Sequence, residues 1–350
     1  MAHFPEITFS ITEEQYSAGL SDHKVLIVGQ MLQGTATPLA LYKDVKKEDI
    51  AGLFGNNSVL ADMLREYFII NKVNKVSVLP LQDKASATVA SASITFAGKA
   101  TEGGTLTFYI TKKAWGNSNQ NRDNSKFILK VNKDDDDKAL KTELETAIKA
   151  VATKDAPVLY AVATAAQDKT ITISATNKGK VGNLYFIGFE GAVPGITVTL
   201  TEFKGGTEEP ELTLEQLQQA VGNNHYKTII WQPGLDIKTV KAFLNARYKL
   251  VYRDLSGVAI TGDVDTVNNL LKSAEEVNDK LAVYASDKLV NNANHKGGSL
   301  AVPAHILAVS LGAFRALKLT PAADISNFVV TASTLPSLVN LELEHLRYDN

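Results

Sequence analysis

The chain has 350 residues, which is enough for two or three domains of ordinary size. Its hydrophobic fraction of 45% and its charged fraction of 21% are typical of chains that fold around buried cores. The net charge of −2 comes from 36 basic and 38 acidic residues, so the excess of positive charge that binds nucleic acid or anionic lipid is absent. We therefore expect no direct contact with nucleic acid or with a membrane.

The sequence contains no cysteine, which excludes disulfides, thiolate nucleophiles and cysteine-ligated metal sites. Residues 1–9 lack the basic start and apolar run of a signal peptide, and no stretch reaches the roughly 18 apolar residues of a membrane-spanning helix. These features predict a protein that is made in the cytoplasm and stays there.

Residues 1–24 are expected to form an N-terminal arm. Within them Ile7, Phe9 and Ile11 alternate with polar residues, as in an edge strand. Within the arm itself such a strand has few partners.

The first structured unit is predicted to be a β-α-β unit. An apolar run from Val25 to Gly29 predicts a buried strand, and a second strand is expected from Val76 until Pro80 ends it. Between them a helix is expected after an N-cap at Asn57 or Ser58. Its apolar stripe consists of Val59, Leu60, Met63, Leu64, Tyr67 and Phe68.

The periodicity changes at about Ala85, where apolar residues begin to alternate with polar ones and Gly and Asn clusters separate the runs. Residues 85–204 therefore predict an inserted, mostly β domain, called the β region below. One helix interrupts it, with Leu140, Leu144, Ile148 and Val151 on one face. The strand-like runs are centred on Ile94 and Phe96, Leu106 to Ile110, Phe127 to Val131, Ile171 and Ile173, Leu184 to Phe189, and Ile196 to Leu200.

Helices and strands alternate again after Gly205-Gly206, which favours a largely parallel sheet with crossover helices. Thr213 and Gln216 have the spacing of a capping box, and Asp236 is expected to cap the next helix. The predicted fold is thus an α/β core, formed by residues 25–84 and 205–350, that the β region interrupts. Further elements are expected at Thr228 to Trp231, Gly257 to Ile260, Val264 to Leu271, Leu281 to Ala285, Pro303 to Leu317, and Phe328 to Val330.

The glycine turn from Gly29 to Gly34 is the best candidate for a phosphate site, because it follows the first strand. The dinucleotide motif G-x-G-x-x-G would have to run straight into a helix, whereas Pro38 follows here and the helix begins near Ser58. No G-K-[ST] motif is present. A nucleotide-dependent α/β enzyme remains as an alternative, but no cofactor and no cofactor-binding residue is predicted.

Other chemistry-bearing residues favour structural roles. The acidic run Asp134–Asp137 lacks the alternate spacing of an EF-hand loop, and its carboxylates would complement the dipole of the helix that follows. No two histidines stand at the i, i+4 spacing of a metal pair, and no serine lies in G-x-S-x-G. We therefore predict no catalytic and no metal-ligating residue, and no enzyme. The histidines, expected at the surface or as caps, are His3, His23, His225, His295, His305 and His345.

Several short motifs, in one order and spacing, together resemble a single protein family. That family is the tail sheath proteins of Mu-like contractile-tailed bacteriophages and prophages, and the resemblance runs from residue 24 to residue 350. The motifs are Lys24–Gln30, Leu53-Phe54-Gly55 with Ser58-Val59-Leu60-Ala61, the hairpin Ala100–Ile110, the turn Asn177–Asn183, and Gly205–Leu212 followed by Tyr226–Ile230 and Pro233.

The resemblance implies a structural subunit that assembles as helical rings around a tail tube and contracts to drive the tube through the host envelope during genome delivery. It implies as partners other sheath subunits, the tail tube protein, and the baseplate and tail terminator proteins. The subunit would be assembled in the host cytoplasm and become part of the virion. The sheath of a non-viral contractile injection system, such as an R-type bacteriocin, is the nearer alternative.

Two departures from the family pattern stand out. Ala18-Gly19-Leu20 takes the place of a Pro-Gly-Val segment in the arm. Residues 335–350 resemble the region that leads into a Y-D-x-G-I stretch, after which family members continue for another domain. The resemblance therefore implies a chain that lacks the C-terminal sheath domain.

Overall fold

The computed structural model describes residues 24–111, 126–152, 158–163, 169–249, 257–263, 282–286 and 304–317. The strands in these ranges are β1 (Val25–Gln30), β2 (Val76–Leu81), β3 (Ser91–Gly98), β4 (Gly104–Thr111), β5 (Lys126–Val131), β6 (Tyr160–Ala163), β7 (Thr170–Ala175), β8 (Phe186–Glu190), β9 (Ile196–Lys204), β10 (Thr228–Trp231), β11 (Val258–Asp263) and β12 (Ala282–Ser286). The α-helices are α1 (Ile50–Phe54), α2 (Val59–Ile70), α3 (Asp137–Ala152), α4 (Leu214–Val221), α5 (Ile237–Lys249) and α6 (Ala304–Leu317), and 3-10 helices span Lys47–Asp49 and Lys180–Leu184.

A parallel sheet is formed by five of the described strands, in the order β12-β11-β10-β1-β2. Numbered by their sequence within the sheet, these strands have the doubly wound order 2-1-3-4-5. The chain therefore reverses its direction of travel across the sheet between β1 and β10. The largely parallel sheet predicted from the alternation of helices and strands agrees with this arrangement.

Helices cover both faces of the parallel sheet, so its central strands are mostly apolar. Val25 and Ile27 on β1 lie in a hydrophobic cluster with residues of α2 and α6. Leu26 and Val28 point to the opposite face and lie in a second cluster with residues of α4 and α5. All four side chains have no exposed surface, which explains why this strand appears in the sequence as an unbroken apolar run.

The β region contains two antiparallel sheets, ordered β6-β7-β3-β9 and β5-β4-β8 among the described strands. Inward-facing residues alternate with outward-facing ones, as expected for sheets covered on one face. The predicted face of α3 is buried through Leu140, Leu144 and Ile148. Phe96 and Phe108 join the two sheets, with ring centroids 5.7 Å apart. The chain is therefore a mixed α/β protein with one parallel and two antiparallel sheets.

One strand boundary was predicted wrongly. The strand that was expected to stop at Pro80 continues through it to Leu81. Proline is tolerated here because β2 is the edge strand of the parallel sheet, where its missing N–H removes no inter-strand hydrogen bond. The carbonyl of Pro80 still accepts a hydrogen bond from the amide of Leu39, at 2.8 Å.

The predicted helix caps are confirmed. Ser58, and not Asn57, is the N-cap of α2, and its hydroxyl accepts from the amide of Ala61. Thr213 and Gln216 form both hydrogen bonds of a capping box at α4. The carboxylate of Asp236 accepts from the amide of Lys238 at the start of α5. These predictions succeeded because capping depends on residues within one turn of each other.

Some predicted elements lie outside the described residues. They are the N-terminal arm at residues 1–24 apart from Lys24, the helix expected from Val264 to Leu271, and the strand expected from Phe328 to Val330. Among the helices that the structure describes, none is long and apolar enough to cross a bilayer.

Candidate functional site

The carboxyl ends of β1, β2 and β10 meet at one edge of the parallel sheet, called the carboxyl edge below. Ligands of doubly wound sheets bind at such an edge, in the crevice where the strand order reverses. The crevice here lies between β1 and β10. The phosphate site considered at Gly29–Gly34 would lie at the same place. The contacts made at this edge therefore distinguish a ligand-binding role from a structural one.

Several amides in and just after the glycine turn are bonded within the protein. Those of Leu32, Thr35 and Ala36 donate to the last carbonyls of α1, at 2.9 to 3.0 Å. A side chain at Gly34 would place its Cβ 2.2 Å from the carbonyl oxygen of Leu53. The glycine is therefore explained by close packing of the turn on α1, and the turn serves to cap that helix.

A polar side chain stands at the end of each of the three strands. They are Gln30 on β1, Asp83 two residues after β2, and Gln232 immediately after β10. The amide of Gln30 donates to Oε1 of Gln232 at 2.6 Å, and Nε2 of Gln232 donates back to Oε1 of Gln30. Gln30 and Gln232 are fully buried, with 1% and 0% of their surface exposed. The two glutamines thus close the crevice between β1 and β10.

A turn of the β region, residues 177–183, fills the rest of the crevice. Asn177 is completely buried and donates through Nδ2 to Asp83 Oδ1, at 2.9 Å, and to the carbonyl of Met31, at 3.2 Å. The amide of Lys178 donates to Asp83 Oδ2 at 2.8 Å, and its carbonyl accepts from Nε2 of Gln30, also at 2.8 Å. We call Gln30, Asp83, Asn177, Lys178 and Gln232 the carboxyl-edge network.

The start of α2 is also occupied. Free amides at a helix N-terminus are the usual partners of a phosphate. Here the amide of Val59 donates to Oδ1 of Asn177 at 2.9 Å, and that of Ala61 donates to the Ser58 hydroxyl at 3.0 Å. The hydroxyl of Thr176 adds a bond to the carbonyl of Asn57, at 2.8 Å. Two of the donors that an anion would need are therefore bonded, one to the β region and one to the cap.

The two chain crossings between the parallel sheet and the β region lie beside the same turn. Residues 82–90 leave the sheet and residues 205–212 return to it. Thr88 bridges Thr207, with the two hydroxyl oxygens 2.8 Å apart. The side chain of Asn183 exchanges two hydrogen bonds with the backbone of Gly206, at 2.8 and 2.9 Å. The three segments together form what we call the junction.

Charged side chains close the junction on its outer side. The ammonium of Lys84 lies 2.9 Å from Glu208 and 2.7 Å from Glu211. Glu208 also accepts from the Ser86 hydroxyl, at 2.8 Å, and has a φ of 61°, which is unusual for a residue other than glycine. Its hydrogen bonds to Lys84 and to Ser86 hold the pKa of Glu208 below its ordinary value.

Each carboxylate of the Asp134–Asp137 run has a partner in the protein. Asp134 pairs with Lys99 at 2.9 Å, and Asp135 accepts from the amide of Asn132. Asp136 accepts from the amide of Ala139 and so caps α3. Asp137 pairs with Lys169 at 2.6 Å, and this contact lowers the pKa of Asp137. Within the described residues, no group of three or more potential ligands is placed to hold a metal ion.

The expectation that histidines lie at the surface or cap helices is wrong for His305. Its side chain is buried on α6, and Nε2 lies 2.8 Å from Asp62 Oδ2 on α2. Its ring also meets the edge of Tyr185 from the β region, with centroids 6.2 Å apart. His225 is exposed, and the other four lie outside the described residues.

The sequence is similar to that of a known protein over part of its length. An alignment of 204 positions, which covers 55% of this chain, is 29% identical to the Mu-like prophage FluMu tail sheath protein of Haemophilus influenzae. Over about half of its length, this chain is similar to a Mu-like tail sheath protein. The resemblance drawn from the short motifs is thereby confirmed. The matched part spans 37% of the length of the FluMu protein.

Two solved structures of sheath tail proteins are also similar to the present chain, but only distantly. The protein from Listeria innocua is 12% identical, with a TM-score of 0.31 over 85% of this chain and 56% of its own. The one from Desulfitobacterium hafniense is 12% identical, with a TM-score of 0.32 over 93% of this chain and 64% of its own. Scores this low carry no argument about the fold. No family model matches the chain.

Three of the motifs that marked the chain as a sheath relative meet at the junction. They are the Gly-Gln that ends β1, the turn Asn177–Asn183, and the segment Gly205–Leu212. Motifs that are far apart in the sequence are thus in contact in the fold. Asp83 and Gln232, by contrast, stand in none of the motifs recognised, and no local pattern marks them.

A nucleotide and calcium test follows from the occupied carboxyl edge. We expect the melting temperature of the protein to stay unchanged with a panel of nucleotides or with calcium, since the donors and carboxylates that would bind them are already bonded. A ligand present at a hundred times its Kd would stabilise the protein by about 2.7 kcal/mol. A shift of several degrees, measured by differential scanning fluorimetry, would contradict the structural assignment.

An acid titration tests the salt bridges of the junction. The pKa of Glu208 is lower in the folded than in the unfolded chain, so its contribution to stability is present above the ordinary glutamate pKa and is lost as the pH falls through the folded value. We expect Glu208→Gln to lower the melting temperature at neutral pH, and this difference to shrink as the pH falls below the ordinary glutamate pKa of about 4.3 and to vanish only below the folded pKa. Glu215→Gln, an exposed change on α4, is the control. A difference that persists unchanged at pH 3 would show that the effect is not one of charge.

Proposed function

We propose that this chain is a structural subunit of a contractile phage tail sheath. In this role it assembles with its own copies as helical rings around the tail tube and contracts to drive the tube through the host envelope during genome delivery. The observation that carries the proposal is the similarity to the FluMu tail sheath protein over 204 residues. The occupied carboxyl edge supports a role that needs no bound cofactor and no catalysis.

The proposed partners are other sheath subunits, the tail tube protein, and the baseplate and tail terminator proteins. The subunit is assembled in the host cytoplasm and resides in the tail of the virion. It contacts neither nucleic acid nor membrane directly, in keeping with a net charge of −2. Contraction is driven by repacking of subunits between two stable arrangements, with no nucleotide hydrolysed.

We also infer a division into an arm at residues 1–24, a discontinuous α/β core at residues 25–84 and 205–350, and an inserted β domain at residues 85–204. The strands support this division, because every described strand of the parallel sheet lies in the core ranges. The described strands of the two antiparallel sheets all lie in the inserted range.

A sheath subunit of a non-viral contractile injection system would assemble and contract in the same way. The neighbouring genes distinguish the two, since capsid and terminase genes accompany a phage tail and not a bacteriocin. The more distant alternative, a nucleotide-dependent α/β enzyme, is tested by the melting experiment described above.

Electron microscopy tests the assembly role. We would compare the 350-residue chain with a version extended by the C-terminal part of the FluMu relative, each alone and with tail tube protein. The extended version should form regular tubes of sheath width, most readily when the tube protein is present. An extended version that stays monomeric by light scattering in the presence of tube protein would contradict the proposal. Tubes formed by the 350-residue chain itself would place the assembly contacts within these residues.

A further inference from the structure

We infer that the carboxyl edge of the parallel sheet is a peptide-binding site whose resident ligand is the chain's own turn, residues 177–183, and that the sheet depends on this ligand for its stability. This dependence belongs to the folding of one chain and is independent of the proposed role in a tail sheath.

The turn is recognised as a ligand would be, through its backbone and one specific side chain. Asn177 uses both ends of its amide group: Oδ1 accepts from the amide of Val59, and Nδ2 donates to Asp83 and to the carbonyl of Met31. Lys178 contributes its backbone N–H and carbonyl, which bond to Asp83 and Gln30. Every acceptor and donor of the turn named here therefore meets a partner from the core.

The shape of the turn fits its surroundings closely. Gly179 has a φ of 97°, and a Cβ there would lie 2.8 Å from the carbonyl oxygen of Glu208. A Cβ on Gly182 would lie 2.8 Å from the Cβ atoms of both Ala90 and Ala175. Both contacts are shorter than real Cβ atoms make, so only glycine fits these two positions.

Without the turn, the core would also lose hydrogen-bond partners for its polar groups. Nε2 of the buried Gln30 donates to the carbonyl of Lys178, and the amide of Val59, which opens a helix, donates to Asn177. Removal of the turn therefore leaves a donor of Gln30 and the amide of Val59 unpaired. The apolar contacts point the same way, because residues of α2, α6 and the inner face of the β region belong to one continuous hydrophobic cluster. The turn is the polar centre of that contact.

Two fluorescent probes in the full chain separate the sheet from the β region. The chain has two tryptophans, so Trp115→Phe leaves Trp231 on β10 as the reporter of the parallel sheet. Since the chain has no cysteine, Thr199→Cys on the exposed side of β9 carries a single dye that reports on the β region. Denaturant unfolding of this reporter protein should give one transition that both probes share.

Asn177→Ala in the reporter protein is the test, and Lys180→Ala is its matched control. Lys180 belongs to the same turn, but its side chain is exposed and contacts Glu209, at 3.3 Å. We expect Asn177→Ala to move the Trp231 midpoint to lower denaturant and to separate it from the dye transition. The inference is overturned if the Trp231 midpoint of Asn177→Ala equals that of Lys180→Ala, or if the reporter protein already unfolds in two separate steps.

Hydrogen exchange of the unaltered protein decides the matter if Asn177→Ala does not fold. The amides of Val59 and Lys178 should then exchange only through the opening that also exposes β1, and hence with protection factors equal to those of Leu26 and Ile27. Rapid exchange at Val59 and Lys178 while β1 stays protected would overturn the inference.

Discussion

The hydrogen-bonding requirement of the carboxyl edge is the constraint on which the structure depends. Three neighbouring strands end in Gln30, Asp83 and Gln232, and two of these side chains are completely removed from water. A buried polar group without a partner costs about 1–3 kcal/mol, against a net stability of about 5–15 kcal/mol for a whole domain. Gln232 pairs with Gln30, and Asn177 and Lys178 supply partners to Gln30 and Asp83, so hydrogen bonds as well as the two linkers hold the β region to the sheet.

The same edge connects the fold with the proposed function. Doubly wound sheets commonly bind a small molecule where their strand order reverses, but a fold does not fix a function, which belongs to the residues at the site. Here a peptide turn takes the ligand's place, and the glycine turn after β1 caps a helix. In the proposed role, a subunit works by packing against its neighbours. Hydrogen bonds within the subunit hold its sheet and its β region together, and this role needs no exchangeable ligand.

The sequence predicted the features that depend on residues close together in the chain. It missed the features that depend on residues far apart in the chain. The caps at Ser58 and Thr213 and the apolar faces of α2 and α3 follow from residues within a turn or two, and they were predicted correctly. Pro80 was misjudged because its tolerance depends on β2 being an edge strand. The burial of His305 depends on Asp62, 243 residues away. The carboxyl-edge network also joins residues that are far apart in the chain. Asp83 and Asn177 are 94 residues apart, and Gln30 and Gln232 are 202 residues apart.

A cryo-electron microscopy map of tubes assembled from a version of this chain that polymerises tests the central claim most directly. The account predicts that in every subunit Asn177 lies against Asp83 and the start of α2, with no additional density between the ends of β1 and β10. A map in which the turn has left the carboxyl edge, or in which a nucleotide-sized ligand occupies it, would contradict the account.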